Sequence, residues 1–221
     1  MVSQMINTNI VQSLPPTLVD VSLEHKYEGS YFEQRGVSKE IFQKFNLGTV
    51  VSAVNTLPSS VIGSPAFPVY DESGYFVGWI FRPGHQDFKY RYHGLKTFDY
   101  VYGLVHAIPA IIREGSVIIV EGPFDVLLAH SAGIENVIAV LGAHISVNQI
   151  LLLGSYTNKF IFALDSDKAG LEGMDRSIQL VNKILPEVST DRMLLYPYKD
   201  FADYALAKIK NEKETQKNQK H

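Results

Sequence analysis

From about residue 109 onward, short apolar runs alternate with stretches whose apolar positions recur at helical spacing. SVIIV (116–120) predicts a strand, and FDVLLAHSA (124–132) predicts a helix closed by Gly133. NVIAVL (136–141) and KFIFAL (159–164) predict two more strands, with a helix beginning near Ser146 between them. A helix over roughly 169–184, a strand RMLLYP (192–197) and a final helix from near Phe201 complete the series. Strands that are apolar throughout, alternating with helices, predict a parallel sheet covered on both faces. In such sheets, sites gather beyond the carboxyl ends of the strands.

The preceding residues are patterned differently. SYFEQRG and SKEIFQKFNLG predict two short helices separated by Gly36, the second capped by Ser38, with Ile41, Phe42 and Phe45 at helical spacing. AFPVYDESGYFVGWIF predicts a hairpin, its two apolar runs joined by Asp71-Glu72-Ser73-Gly74 with the glycine supplying a positive φ. In DFKYRYHG, strict alternation puts Phe88, Tyr90 and Tyr92 on one face and Lys89, Arg91 and His93 on the other. Residues 1–20 read as a polar lead-in ending at Pro15-Pro16, and 208–221 as a solvated helix end fraying into a polar tail. The organisation expected is a lead-in (1–20), an α+β unit (21–108), an α/β unit (109–207) and the tail (208–221).

Composition narrows the chemistry. With 221 residues the chain can bury a proper core, and 46% hydrophobic against 19% charged residues is the balance of a water-soluble globular protein. The formal charge of −3 means that any nucleic-acid contact must come from a local patch. There is no cysteine, which excludes disulfides, thiolate zinc sites and cysteine nucleophiles within these residues. No apolar stretch approaches the roughly 20 residues needed to cross a bilayer, and MVSQMINTNIVQSLPP lacks the pattern of a signal peptide. A cytoplasmic location is expected, that of the host if a phage encodes the chain. The seven histidines show no metal-ligand spacing, and no P-loop or Ser-His-Asp arrangement is present.

The informative residues are acids at strand ends. Glu121 follows SVIIV directly and Asp165 follows FIFAL directly. If extended geometry persists, Asp167 points to the same side as Asp165, with Ser166 turned away. Asp200 and Asp203, after RMLLYPY, would reach the same edge. Any one of these aspartates could simply cap a helix. Together they would repel one another, and a divalent cation removes that cost. Mg²⁺ takes oxygen ligands, commonly one or two carboxylates with water and phosphate. An acid from one strand and a D-x-D from the next therefore suit metal-assisted phosphoryl chemistry.

These same residues carry a family resemblance. VIIVEGPFDVLLAHSAGIENVIAVLGAHIS followed by KFIFALDSDKAGLEGMDR resembles a Toprim domain, with E-G-x-x-D, then A-V-L-G, then D-x-D-x-A-G and a downstream arginine. YFEQRGVSKEIFQKFNLG, AFPVYDESGYFVGWIFRP and KYRYHGLKTFDYVYGL resemble the segments that precede Toprim in bacterial and phage-type DNA primases. The resemblance spans about residues 29–205 and implies a primase-like catalytic core, with a Toprim parallel sheet preceded by a smaller mixed α+β subdomain.

It further implies a nucleotidyltransferase, a DNA-directed RNA polymerase of primase type, which makes short primers from NTPs on single-stranded DNA with Mg²⁺ or Mn²⁺. Glu121, Asp165 and Asp167 would be catalytic and metal-binding, Asp203 a further metal ligand, and Asp125 and Asp200 supporting acids. Arg35, Arg82, Lys89, Arg91, Lys96 and Lys168 would contact nucleotide or DNA, and Arg176 would steady phosphate or pair with an acid. The chain departs from the family at Lys96, one position before the family's lysine, and at K-D-F-A-D in place of a D-P-D-D run. Without cysteines these residues hold no zinc ribbon, so a separate zinc-ribbon protein and a replicative helicase are the partners implied. A Toprim nuclease using the same acids, and a non-catalytic subunit binding single-stranded DNA or a helicase, remain as alternative readings.

Overall fold

The protein, represented by a computed structural model, is described over residues 21–53, 57, 59–84, 90–142 and 144–218. Two sheets are built in succession. The first is antiparallel and runs in chain order: β1 (Val21–Glu24), β2 (Gly48–Ala53), β3 (Pro65–Tyr70), β4 (Phe76–Phe81) and β5 (Arg91–His93). Between β1 and β2 lie the two short helices α1 (Tyr31–Gln34) and α2 (Lys39–Lys44). Their N-caps are Ser30 and Ser38, whose hydroxyls accept from the amides of Glu33 and Ile41. The β3–β4 turn places Gly74 at φ 86°, as the hairpin pattern required.

The second sheet is parallel, ordered β7 (Val137–Ala139), β6 (Val117–Val120), β8 (Lys159–Phe162), β9 (Ser189–Arg192). The order reverses beside β6, so a crevice forms at the carboxyl ends of β6 and β8. Helices α3 (Leu104–Glu114), α5 (Val147–Gly154) and α6 (Lys168–Ile184) share one core with Val117, Ile119, Ile138, Phe160 and Phe162. Helices α4 (Pro123–Ser131) and α7 (Phe201–Asn218) pack on the other side, in a core that includes Val120, Val137 and Ala139. The expected α/β class and two-sided cover are thus present.

Besides a cluster of its own, each half contributes to one shared core. Phe32, Phe42, Phe45 and Phe67 of the first half bury together with Val126, Leu128 and Phe201 of the second. At their centre is α4, in which every residue from Pro123 to His130 is buried. A helix surrounded on all sides needs no polar face, which is why FDVLLAH lacks an amphipathic stripe.

Five elements differ from the sequence expectation. Strands β1 and β2 were not evident in the pattern, and β1 carries a register shift between Ser22 and Leu23 that interrupts its alternation. Helix α3 was hidden by Pro109 in its interior and by Gly103, which offers no side-chain cap. The last strand is Ser189–Arg192, not 192–197. It is an edge strand held by parallel pairing from Lys159↔Ser189 to Phe162↔Arg192 and by a Lys159–Asp191 ion pair at 3.1 Å. Exposed polar residues suffice at such an edge, and the apolar run comes after it. Finally, α7 continues past Lys208 to Asn218. Lys208 bonds the carbonyl of Ala132 at 3.0 Å and lies 3.8 Å from Glu212 one turn on, and the Lys- and Glu-rich residues around it favour helix.

Candidate active site

The carboxyl ends of β6 and β8 are joined directly. The amide of Asp165 donates to Oε1 of Glu121 at 3.2 Å, bringing two of the expected acids together from two strands. Ser166 is turned the other way: its amide donates to the carbonyl of Lys199 at 2.8 Å and its hydroxyl to that of Tyr198 at 3.0 Å. The chain stays extended at Asp167 (φ −84°, ψ 172°), which is also the N-cap of α6, its Oδ1 accepting from Gly170 N at 2.8 Å. Capping and the D-x-D alternation therefore coexist. A Cβ on Gly170 would collide with the carbonyl of Asp165, so glycine is what lets α6 close against the acid loop. That closure aims the positive end of the α6 dipole at the carboxylates.

Asp125 is buried and braces the site. Its Oδ2 accepts from Gly122 N at 2.9 Å and its Oδ1 from Ala202 N at 3.1 Å, tying the turn after β6 to the start of α7. Asp200 caps that same helix start, its Oδ1 accepting from Asp203 N at 2.9 Å. Asp203 is exposed. Lys168 opens α6 and is exposed, 3.9 Å from Glu172, which also lies 3.8 Å from Arg176. Among the described residues, no three His, Asp or Glu side chains are grouped closely enough to hold an ion together. Asp167 and Asp200 are instead turned to amides in their own helix starts. The Glu121–Asp165 pair supplies hard oxygen donors in the number Mg²⁺ commonly takes from protein, so the residues present fit such an ion with phosphate and water completing its shell.

Two arginines stand over the ring of Phe124, at the end of the same turn. Arg35, at the end of α1, lies 5.0 Å from the Phe124 ring centre and 5.8 Å from that of Tyr31, and donates to Tyr31 Oη at 3.1 Å. Arg82, just after β4, lies 5.6 Å from the Phe124 ring and 5.9 Å from that of Tyr31, and donates to Tyr90 Oη at 3.2 Å. Both guanidiniums thus share the same two rings, an arrangement typical of arginine stacking. Among the described residues, neither is within ion-pair distance of a carboxylate.

Tyr90 connects the halves, since a Cβ on Gly122 would lie 3.7 Å from its hydroxyl. Burial, reinforced by Asp125 and partly offset by Arg82, pushes the Tyr90 hydroxyl well above its ordinary value, so it stays protonated. From Tyr31 and Arg82 a cleft of about 1000 Å³ opens along the first half, lined also by Lys26, Glu28, Ser30 and Ser64.

The remaining sequence candidates are less directly engaged. Arg91, half-buried, is paired with Phe81 across the β4–β5 ladder. Lys96 is exposed in a loop tied down by Gln149, whose side-chain amide donates to the carbonyls of Thr97 at 2.8 Å and Tyr100 at 2.7 Å. Lys89 lies outside the described residues. Sequence reasoning passed over Tyr31, Phe124 and Gln149. Tyr31 and Arg35 are four apart, the spacing of neighbours on a helix, and that signal was available. Phe124 and Gln149 act across long sequence separations and gave none.

Comparison with known proteins agrees with this architecture. Residues 115–189 match the Toprim domain family. The DNA primase of Aquifex aeolicus is 29% identical over 191 residues, which cover 72% of this chain and 38% of that protein. The chain therefore spans little more than a third of the length of that relative. The solved structure of the zinc-binding and RNA polymerase domains of the Aquifex aeolicus primase superposes with a TM-score of 0.71 at 25% identity, covering 83% of this chain and 53% of that one. The DnaG primase catalytic domain bound to single-stranded DNA gives 0.67 at 23% identity, over 86% and 70% of the two chains. With acids at the parallel-sheet edge, arginines presented by the antiparallel half and this agreement along most of its length, the chain carries a Toprim domain over residues 115–189 and has the fold of the DNA primase catalytic core.

Proposed function

We propose that this protein synthesises short primers on single-stranded DNA by metal-dependent nucleotidyl transfer. The observation that carries the proposal is the convergence on one turn, Glu121–Phe124, of the Glu121 carboxylate, bonded by the Asp165 amide, and of two arginines stacked over Phe124. Acids suit a cation, and arginines without acidic partners among the described residues suit the phosphates that the cation would share.

Glu121 and Asp165 would hold Mg²⁺ or Mn²⁺, and Asp167 and Asp203 would have to turn toward the ion to join them. When bound, the ion supplies charge neutralisation at the attacking and leaving oxygens. Arg35 and Arg82 orient the nucleotide phosphates, and their planar guanidiniums can each take two phosphate oxygens. A 3′-hydroxyl of the growing strand attacks the α-phosphorus of an NTP. The new P–O bond forms as the bond to the pyrophosphate breaks, and Glu121 would take up the hydroxyl proton. Asp125 and Asp200 keep the Gly122 turn and the start of α7 in place. Lys96 and Lys168, both exposed, with Arg91 and Lys89, would extend the cationic contact to template.

Two likenesses support the reading: the primases that align with most of this chain, and a DnaG catalytic domain of the same fold whose structure holds single-stranded DNA. The test is a denaturing gel of single-stranded DNA, labelled NTPs and Mg²⁺ or Mn²⁺, wild type beside Asp165→Ala. New short labelled products that vanish in the variant are expected. Shortened template without new strand would overturn the proposal in favour of a nuclease. Products undiminished in Asp165→Ala would overturn the site.

A further inference from the structure

Between β9 and α7 the chain forms a strap whose inner and outer residues are sharply divided. Leu195 is 3% exposed and anchors it, and a turn closes from Tyr198 N to Leu195 O at 2.8 Å. Leu194 on one side and Tyr196 on the other are 68% and 88% exposed, the highest values among the large apolar side chains described. The strap is not remote from the acids. Its Tyr198 and Lys199 carbonyls receive both hydrogen bonds of Ser166, the residue between Asp165 and Asp167. Beyond Tyr198, which packs edge-on against Tyr204 at 5.7 Å, a groove of about 500 Å³ continues along α7, lined also by Lys208, Asn211, Glu212 and Thr215.

An exposed tyrosine costs hydration free energy without contributing to the core, and a strap this close to the proposed catalytic acids would gain nothing from a bare ring. Its surroundings limit what can cover it. Carboxylates beside the strap repel a phosphate backbone, but the face of a base is neutral and stacks on a tyrosine whatever the base. Lys199, exposed and next to the rings, can meet the one phosphate that follows.

We infer that Tyr196, with Leu194 beside it, is a stacking platform for an unpaired base of the nucleic-acid strand lying in the Glu121–Asp165 site. This rests on the reading of the site as a nucleotidyl-transfer centre. It adds a second contact surface beside the acids, through the strap that Ser166 holds.

The experiment uses a fluorescein-labelled oligothymidylate, titrated with protein in Mg²⁺ and followed by anisotropy. Wild type is compared with Tyr196→Ala, Tyr196→Phe and Tyr196→Trp, alongside the primer-synthesis gel for each. Loss of one base stack predicts affinity about tenfold or more weaker for the alanine variant. The phenylalanine and tryptophan variants should bind as tightly as wild type, because the ring is kept. A bromodeoxyuridine oligonucleotide should cross-link to wild type at the strap. The exposed position leaves the melting temperature of Tyr196→Ala unchanged, so weakened binding cannot come from unfolding. Equal affinity of Tyr196→Ala and wild type, or a wild type that does not bind the oligonucleotide, overturns the platform; in the first case the strap becomes a surface for a protein partner. Because binding and synthesis are read separately, wild type that binds through Tyr196 yet makes no product would sink the nucleotidyl-transfer reading alone.

Discussion

At the edge of the parallel sheet, charged groups are fixed by backbone hydrogen bonds: Asp165 N to Glu121 at 3.2 Å, Gly170 N to Asp167 at 2.8 Å, Ser166 N to Lys199 O at 2.8 Å. In the antiparallel half, the guanidiniums of Arg35 and Arg82 rest on rings, 5.0 and 5.6 Å from the centre of Phe124. The first arrangement is local and follows from where strands end. The second depends on the two halves sharing one core, since Phe124 belongs to α4 and the arginines to α1 and the end of β4. Acids placed by the backbone should survive damage to the core that arginines placed by rings would not.

Removing an acid should have the largest effect on activity and the smallest on the fold. Asp165→Ala is expected to lower primer synthesis by about 100-fold or more, with an unchanged or higher melting temperature because a repelling charge is gone. Steady-state synthesis and calorimetry on the same preparation check both halves of that statement.

Phe124→Ala should act the other way round. A buried phenylalanine in contact with the Phe32 and Phe67 rings costs about 3–5 kcal/mol when truncated. Urea unfolding measures that loss. Affinity for single-stranded DNA should also fall, because both arginines lose the ring they share.

Beneath the arginines the common core holds a pH-sensitive element. His106 and His130 pack on Phe45 at ring distances of 4.1 and 5.0 Å. Burial, with Lys44 nearby, holds His106 down to about 4 and His130 to about 3. The folded state thus resists protons that the unfolded chain accepts from pH 6.5 downward. Their contribution is complete above that value and is lost progressively as pH falls toward 4 and 3. At pH 5 each histidine should cost about 2 kcal/mol relative to pH 7. Melting temperatures across that range check it, and His130→Phe should flatten the dependence even if its midpoint differs.

Arg82→Ala and Arg35→Ala are expected to be the mildest changes. Each should weaken oligonucleotide binding and reduce the slope of log affinity against log salt by about 1, with little change in stability. A salt slope identical to wild type would separate these arginines from phosphate.

The same contrast explains what the sequence alone could reveal. SVIIV and KFIFAL are apolar on both faces because the sheet is covered on both, so the apolar pattern itself marks their ends, and with them Glu121 and Asp165. Ser38, Ser146 and Gly74 were legible for similarly local reasons. β9 was not, because STDR draws its pairing from Lys159–Phe162 and buries almost nothing. α3 was not, because Pro109 and Gly103 remove the usual marks of a helix that tertiary contacts nonetheless stabilise. At the site, the D-x-D alternation and capping by these aspartates could both be inferred, because the Asp167–Gly170 and Asp200–Asp203 bonds span three residues. That two distant arginines meet over Phe124 could not, because it is a long-range fact.

The central claim is that Glu121 and Asp165 form a cation-binding pair. Electron paramagnetic resonance of free Mn²⁺, titrated with wild type, Glu121→Gln, Asp165→Asn and Asp203→Asn, tests it without relying on catalysis. The account predicts that wild type removes the free-ion signal, that either of the first two variants binds at least about tenfold more weakly, consistent with loss of one of two carboxylate ligands, and that Asp203→Asn is affected less. Equal Mn²⁺ binding by wild type, Glu121→Gln and Asp165→Asn would contradict it.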